Sequence, residues 1–484
     1  MSAPDLPCSE AQAILRDAQQ TLDDLNEYPI LHQRLHLVNR LTTGEEVGQT
    51  EGRSRASCGE NPLSLNLGEP ALKILLEPTT ENFAFKLDTV TANALALVPS
   101  GPGSNTAKHL AGALHELFRE EQVAAALQTV SGGSNNHKAV AFLKSQPYDL
   151  VMRVEKQINR AYKSSPEYHL TFSLLTAGGA PSSWDIQSAL DDHIQPLVQA
   201  LSGTAKFEIT TQVQLYSSFS PAVKPTTREG HNGTLLEQTD LTAFVNAAEW
   251  PLAPSIGDGP TLNFILYIPA KDQIPLAIEG IDGTSWLVPQ WGGIQILNPP
   301  LHPHPALGVM TLPAHLNRDM LRQSFETFSS QLLSLLGVLQ PDGQARILPL
   351  QLRLDAYKRL SALSLYLKAS SSLGSLARLA QRLSNIPIPR NVAQLVDNTI
   401  ANLTASCHAC MESRWDSALA HAKIAYKDSE KAFFDKSMVG QVYFPDEHKV
   451  AVYLPLLGPI GVPLVVGLLR ELKRFASARR AAKV

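Results

Sequence analysis

The chain has 484 residues, enough for one large domain or two to three ordinary ones. With 44% apolar and 18% charged residues it has the composition of a globular body, which excludes an intrinsically disordered chain. A formal net charge of −4 provides no basic field for nucleic acid, and four cysteines (Cys8, Cys58, Cys407 and Cys410) are too few for a disulfide scaffold.

Residues 9–41 are rich in helix formers. Ser9 is placed to cap a helix there. Leu15, Leu22, Leu25, Leu31, Leu35 and Val38 supply an apolar stripe, which Pro29 interrupts. Segment 43–62 has little to bury and reads as a loose loop. Residues 71–76 and 94–98 are strand candidates, PSGPGSN at 99–105 is a turn-rich break, and 108–128 reads as an amphipathic helix. Helical residues 151–162 precede the strand HLTFSLL at 169–175, which is bounded by Pro166 and the Gly178-Gly179 turn. Residues 183–201 read as a helix, with Ser183 as its cap, Asp185 in the first turn and Pro196 bending it. FEITTQVQLYS at 207–217 is a strand, 241–249 a short helix, and TLNFILYI at 261–268 a strand covered on both faces. A further strand follows at 293–297. Strands separated by helices predict an α/β domain, a mixed sheet with flanking helices.

From residue 317 the pattern turns helical. Residues 320–336 form a strong helix, and the long stretches 350–386 and 391–434, joined through IPIPR, suggest an antiparallel helical hairpin. The run VAVYLPLLGPIGVPLVVGLL at 450–469 carries no charge. Its twenty residues match the roughly 30 Å hydrocarbon core of a bilayer, so a C-terminal transmembrane helix is expected. Arg470, Lys473, Arg474, Arg479, Arg480 and Lys483 follow against a single Glu471, which favours a cytosolic tail and a body across the membrane. That orientation calls for a leading signal anchor, and MSAPDLPCSEAQAILRDAQQ has no charged segment followed by an apolar one. The expectation is an N-terminus shortened by the loss of a membrane span; a tail-anchored topology is the alternative. Pro455, Pro459 and Pro463 recur along one face of the run and, with Gly458 and Gly461, read as a kinked surface for packing within a membrane complex. The predicted organisation is 1–150 as the N-terminal part, 151–316 as the α/β core, 317–435 as the helical region, 436–449 as a membrane-proximal linker, 450–469 as the span and 470–484 as the basic tail.

Candidate chemistry is sparse. In Cys407-His408-Ala409-Cys410 the two thiols share a helix face, but a redox pair normally opens a helix after a strand, and a structural zinc site wants a second ligand pair. The motif reads as a packing pair or a local disulfide. His302 and His304 lie in the Pro-rich PPLHPHPAL and read as a surface loop. Gly132-Gly133 and Gly178-Gly179 lack the strand and helix context of a dinucleotide site. No HExxH, GxSxG or P-loop occurs, so no catalytic, cofactor or metal site is predicted. Trp291, Gly292 and Gly293 enter a strand and mean either tight backbone packing or a recognition spot. Asn232 and Asn402 begin glycosylation sequons, the first in the polar stretch TTREGHNGT, which reads as an exposed loop.

Several of these segments occur together in a known order. Ala432-Phe433-Phe434-Asp435, Tyr443-Phe444-Pro445-Asp446 and the Pro-interrupted run resemble the C-terminus of the PIG-S family, the S subunit of GPI transamidase. YHLTFSLL at 168–175, Trp184-Asp185-Ile186, Gln195-Pro196, the segment 212–216, NFILYIP at 263–269, WGGI at 291–294 and SNIPI at 384–388 continue the resemblance over roughly residues 150–470. Residues 1–150 match loosely, and the family's N-terminal membrane span is missing. The resemblance implies a non-catalytic accessory subunit of a complex in the endoplasmic reticulum membrane, with a lumenal body and a cytosolic tail. That complex joins GPI lipids to proproteins, and its peptidase-like chemistry lies in the K subunit. The implied partners are the K, T and U subunits, the GPI attachment subunit and the lipid bilayer. Candidate contacts are Trp291, Gly292 and Gly293, the pair Phe433 and Phe434, and Tyr443, Phe444 and Pro445 at the membrane surface. The competing reading is a membrane-anchored lumenal enzyme or tether acting outside such a complex.

Overall fold

The computed structural model describes residues 6–26, 31, 33–38, 71–99, 105–132, 136–217, 225–227, 233–238, 240–241, 259–280, 283–303, 309–340, 348–382, 388–436 and 446–481. Helix α1 (Cys8–Leu25) buries Ala11, Ile14, Ala18 and Leu22 at helical spacing. It is shorter than the 9–41 segment predicted. Pro7 holds its N-cap position, so Ser9 lies inside the first turn and does not cap it. Residues 33–37 run back without helix. Gln19 holds them: it accepts from the Leu35 N–H at 2.8 Å and donates to the Gln33 carbonyl at 3.0 Å. Cys8 is disulfide-bonded.

Strands β1 (Lys73–Thr79), β2 (Ala84–Leu87) and β3 (Asn93–Pro99) form a sheet of order β1-β3-β2, with β1 parallel and β2 antiparallel to β3. Ile74, Leu76, Ala96 and Val98 pack with Leu110, Ala111 and Leu114 of α2 (Thr106–Ser131) and with Leu22 of α1. Sequence periodicity missed β2, because four residues are too few to show alternation. Helix α3 (His137–Ser145) starts where the Asn136 side chain accepts from the N–H groups of Lys138 and Ala139; α4 (Tyr148–Arg160) follows.

The second sheet begins with β4 (Glu167–Thr176), nearly all of it buried. The predicted helix over 183–201 starts later, at Ile186, and runs unbroken to Leu201 with a π turn inside it. Ser183 belongs to the short strand β5 (Ser183–Trp184) and caps nothing. Asp185 then leads into α5 (Ile186–Ala189), a π turn (Leu190–Ile194) and α6 (Gln195–Leu201). Pro196 explains the π turn: it has no N–H for the carbonyl four residues back, and the turn widens so that the Gln195 N–H reaches Leu190 O. Next come β6 (Lys206–Gln214), β7 (Thr226–Thr227), β8 (Thr234–Leu236), β9 (Thr261–Ile268), β10 (Leu276–Ile278), β11 (Ser285–Val288), β12 (Gly292–Ile296), β13 (His302–Pro303), β14 (Met310–Thr311) and β15 (His315–Leu316). Of the helix predicted over 241–249, residues 242–249 lie outside the described residues. The five-stranded sheet has the order β11-β12-β9-β4-β6 and is parallel except for β11, a mixed sheet as predicted.

Strand alternation puts Tyr168, Leu170, Phe172 and Leu174 of β4, with Leu262, Phe264 and Leu266 of β9, on one face. Helix α7 (Arg318–Leu336) covers that face with Leu321, Phe325, Phe328 and Leu332. Phe172 stacks on Phe264 at 5.0 Å between centroids, and Phe325 meets Phe328 edge-on at 5.5 Å. Each buried ring contributes about 2–3 kcal/mol by removal from water. On the opposite face Leu175, Ile265, Tyr267, Ile294 and Ile296 pack with Leu236, Leu276 and Ile278 of the small β7–β8–β10 sheet. Asn317 caps α7 by accepting from the Met320 N–H at 3.0 Å, and Gly337 closes it at φ 89°.

The remaining helices are α8 (Leu350–Arg382), α9 (Arg390–Met411), α10 (Trp415–Phe433) and α11 (Asp446–Ala481). The predicted continuous stretch 391–434 divides after Met411. Ser413 takes the left-handed conformation at φ 58°, and the Arg414 N–H closes back on Ala409 O. The chain separates into two compact units, Met1–Leu367 with Ala405–Lys423, and Lys368–Thr404 with Ile424–Val484. In the second, Leu376 of α8, Val392 of α9 and Ala432 of α10 form a small core. Among the described residues, no helix is long and apolar enough to cross a membrane. The uncharged run lies in α11, with Pro455, Pro459 and Pro463 inside it. The fold therefore does not carry the transmembrane reading of the sequence.

Candidate functional site

The Trp291-Gly292-Gly293 segment is held from three sides. Trp291 O accepts from the Asn263 N–H at 3.0 Å, and the Tyr162 hydroxyl shares its one proton between Thr261 O at 2.6 Å and Trp291 O at 3.1 Å. Burial pushes the Tyr162 phenol up to about 12, so it stays protonated as a donor. A Cβ at Gly292 would fall on the Asn263 carbonyl, and one at Gly293 would fall on the Gln331 carboxamide. Gln331, on α7, donates to Trp286 O at 3.1 Å, and its own carbonyl oxygen is buried without a partner. Both glycines are buried and Trp291 is half-buried, so this geometry is that of a close strand–strand and strand–helix joint.

Folding also assembles a cluster that sequence reading did not find. The Ser183 hydroxyl lies 2.9 Å from His315 Nδ1, and His315 Nε2 lies 2.9 Å from Asp185 Oδ1. The second Asp185 oxygen accepts the Arg318 N–H at 3.2 Å at the start of α7, and the Arg318 guanidinium forks onto Asp192 at 2.5 and 2.8 Å. That guanidinium holds the Asp192 carboxyl below the usual carboxylate range. Serine, histidine and carboxylate in a line suggest acyl transfer, which also needs free donors for a developing oxyanion. Here the neighbouring Ser182 and Asp185 N–H groups are spent on Ala314 O and Leu316 O. The cluster ties β5, β15 and the start of α7 together. More than 125 residues separate its halves, so no local spacing could have announced it.

Other candidates are placed as follows. Cys407 and Cys410 are both free thiols on α9, so the local disulfide is not formed. Burial, with Cys407 adding to it, pushes the Cys410 thiol up to about 11, which leaves it a poor nucleophile. Among the described residues, no group of three or more His, Cys, Asp or Glu side chains is arranged to hold a metal. Glu121 of α2 and Arg359 of α8 form a buried two-pronged ion pair at 2.6 and 2.9 Å. Phe433 packs against the Leu376–Val392–Ala432 core, whereas Phe434 stands 62% exposed, edge-on to it at 5.0 Å. Asn402 is mid-helix, its Nδ2 donating to Asn398 O at 2.9 Å. Asn232, Tyr443, Phe444 and Pro445 lie outside the described residues. On α11, Leu454, Leu457, Ile460, Leu464 and Leu468 are all exposed.

Comparison with known proteins decides the family. The family model for "Phosphatidylinositol-glycan biosynthesis class S protein", PIG-S, matches residues 1–478. The chain belongs to the PIG-S family. Its relatives include the GPI-anchor transamidase component PIGS of Bos taurus, 32% identical over 342 residues, covering 67% of this chain and 60% of that protein. The Homo sapiens protein of the same name is 32% identical over 329 residues, with 64% and 58% covered. The GPI transamidase component GPI17 of Saccharomyces cerevisiae is 29% identical over 336 residues, with 65% and 59% covered. This PIG-S chain thus spans about 60% of the length of the curated relatives it matches.

Proposed function

We propose that this protein is a non-catalytic accessory subunit of GPI transamidase, supporting transfer of GPI anchors to proproteins in the endoplasmic reticulum membrane. One observation carries the reading: the PIG-S family model matches nearly the whole chain, and relatives spanning mammals and yeast are named as components of that transamidase. The companions are the K, T and U subunits and the GPI attachment subunit, with the peptide chemistry in K. The body is lumenal, 436–449 links it to the bilayer, 450–469 spans, and 470–484 is cytosolic. Support for the span comes from the twenty uncharged residues of the sequence, the continuous helix Asp446–Ala481 and the apolar side chains it leaves exposed on all sides. Support for contact at Phe434 is its exposure beside a partner ring already packed.

The deciding experiment is purification through a C-terminal tag in mild detergent, followed by mass spectrometry. Recovery of the four companions is the expected result. A solitary protein, recovered folded, overturns the reading.

A further inference from the structure

β6 ends the five-stranded sheet. Among the described residues it pairs only with β4, in an unbroken register from Lys206 opposite Glu167 to Gln214 opposite Leu175. The pairing is reinforced by side chains: Thr171 bonds Thr210 at 3.2 Å, and Gln212 donates to Ser173 at 2.9 Å. The Lys206 N–H donates inward to Pro166 O at 2.9 Å. Backbone groups of alternate residues point to alternate sides, so Phe207, Ile209, Thr211 and Val213 aim their N–H and C=O groups outward. Native edges are usually blunted by proline, a bulge, extra charge or short length. The nine residues KFEITTQVQ contain no proline and no bulge, whereas the opposite edge, β11, has only four residues. Exposed apolar groups collect where β6 ends: Val213 at 41%, Leu215 at 37% and Tyr216 at 75%.

We propose that the outer edge of β6 is a docking edge, joined by an extended segment of a companion subunit as a sixth strand; this rests on the function proposed above. Alternating outward donors and acceptors are matched by an extended backbone and by little else. Side chains of the incoming strand meet Phe207, Ile209, Thr211 and Val213 on one face and Glu208, Thr210 and Gln212 on the other, which fits alternating apolar and polar residues. Charge narrows the occupant further. Glu167, Lys206 and Glu208 are linked at 2.8 and 2.5 Å and sum to −1 at the start of the edge, His169 Nδ1 lies 3.3 Å from the other Glu208 oxygen, and the rest of β6 is neutral. The segment is therefore uncharged along most of its length, with a basic residue beside Glu208. Size excludes a second copy held by this contact alone. An edge about 30 Å long and one strand spacing deep buries a few hundred Å², below the roughly 1,000 Å² of a free-standing interface. A companion already tethered by other contacts has no such requirement.

The test uses the full chain in cells, purified in mild detergent. Thr211→Pro deletes one outward N–H, and Thr210→Pro deletes an inward one from the β4 ladder. The expected result is that Thr211→Pro keeps its thermal midpoint within about 3 °C of the native chain and lowers companion recovery at least tenfold, while Thr210→Pro lowers the midpoint itself. A photoreactive residue at position 211 of the otherwise native chain, which does not depend on the proline variants folding, cross-links to one of the recovered companions. Unchanged recovery with Thr211→Pro, no cross-link, or a cross-link only to a second copy overturns the docking edge and leaves the subunit role standing. A native chain that retains no companion overturns both.

Discussion

Gly292 and Gly293 are neighbours, yet a methyl group at each would meet a different obstacle. At Gly292 it falls on the backbone of Asn263, which cannot move without breaking the β9–β12 pairing. At Gly293 it falls chiefly on the end of the Gln331 side chain, which can swing aside. Gly292→Ala should therefore cost about 3 kcal/mol and Gly293→Ala about 1 kcal/mol, the latter largely recovered by adding Gln331→Ala. Chemical denaturation of the three variants measures this, and equal costs would contradict the backbone argument. A second residue-scale prediction concerns acid. Hydrogen bonding from Arg318 lowers the Asp192 carboxyl from its ordinary value of 3.8. The folded state then binds fewer protons than the unfolded one, so the contribution is complete above 3.8 and is lost as pH falls through the depressed value. Asp192→Asn should flatten that part of the acid unfolding curve and leave stability near neutrality little changed, because the pair is exposed and screened. The sequence showed that Trp291-Gly292-Gly293 was special, but the obstacles facing the two glycines come from β9 and α7.

Among the elements, long apolar runs were the most legible. The apolar run 261–268 predicts a strand and forms one, because a strand covered on both faces has to be apolar throughout. Helix α7 likewise starts within two residues of its predicted start. The failures are at joints. Serine favours the helix-cap position, which predicts a cap at Ser183, but pairing with His315 draws it into a strand. The 391–434 stretch is helical on both sides of Met411, and nothing in MESRW announces a break by glycine or proline. The reversal is made by Ser413 in a conformation that disfavours side chains. Ser413→Gly should therefore raise the thermal midpoint, gaining about 1 kcal/mol, and Ser413→Val should lose at least as much. A gain with valine would mean that the joint straightens into one helix.

At the scale of the molecule, the uncharged run and the basic tail make a topological prediction. In sealed microsomes, protease added outside should remove a tag placed after Val484 and spare the body. Loss of the body with survival of the tag would mean the tail-anchored arrangement. The sequence by itself determined the mixed α/β class, the helical second half, the uncharged C-terminal run and the PIG-S resemblance, since these follow from local periodicity, composition and ordered short motifs. Only the tertiary structure decided that Gln19 holds residues 33–37 against α1, that Glu121 meets Arg359 across 238 positions, that Ser183, His315 and Asp185 share one cluster, and that β6 pairs on one side only among the described residues. Each of these depends on strand order or helix packing between distant segments, and residue spacing along a chain does not encode which distant segment a side chain will meet.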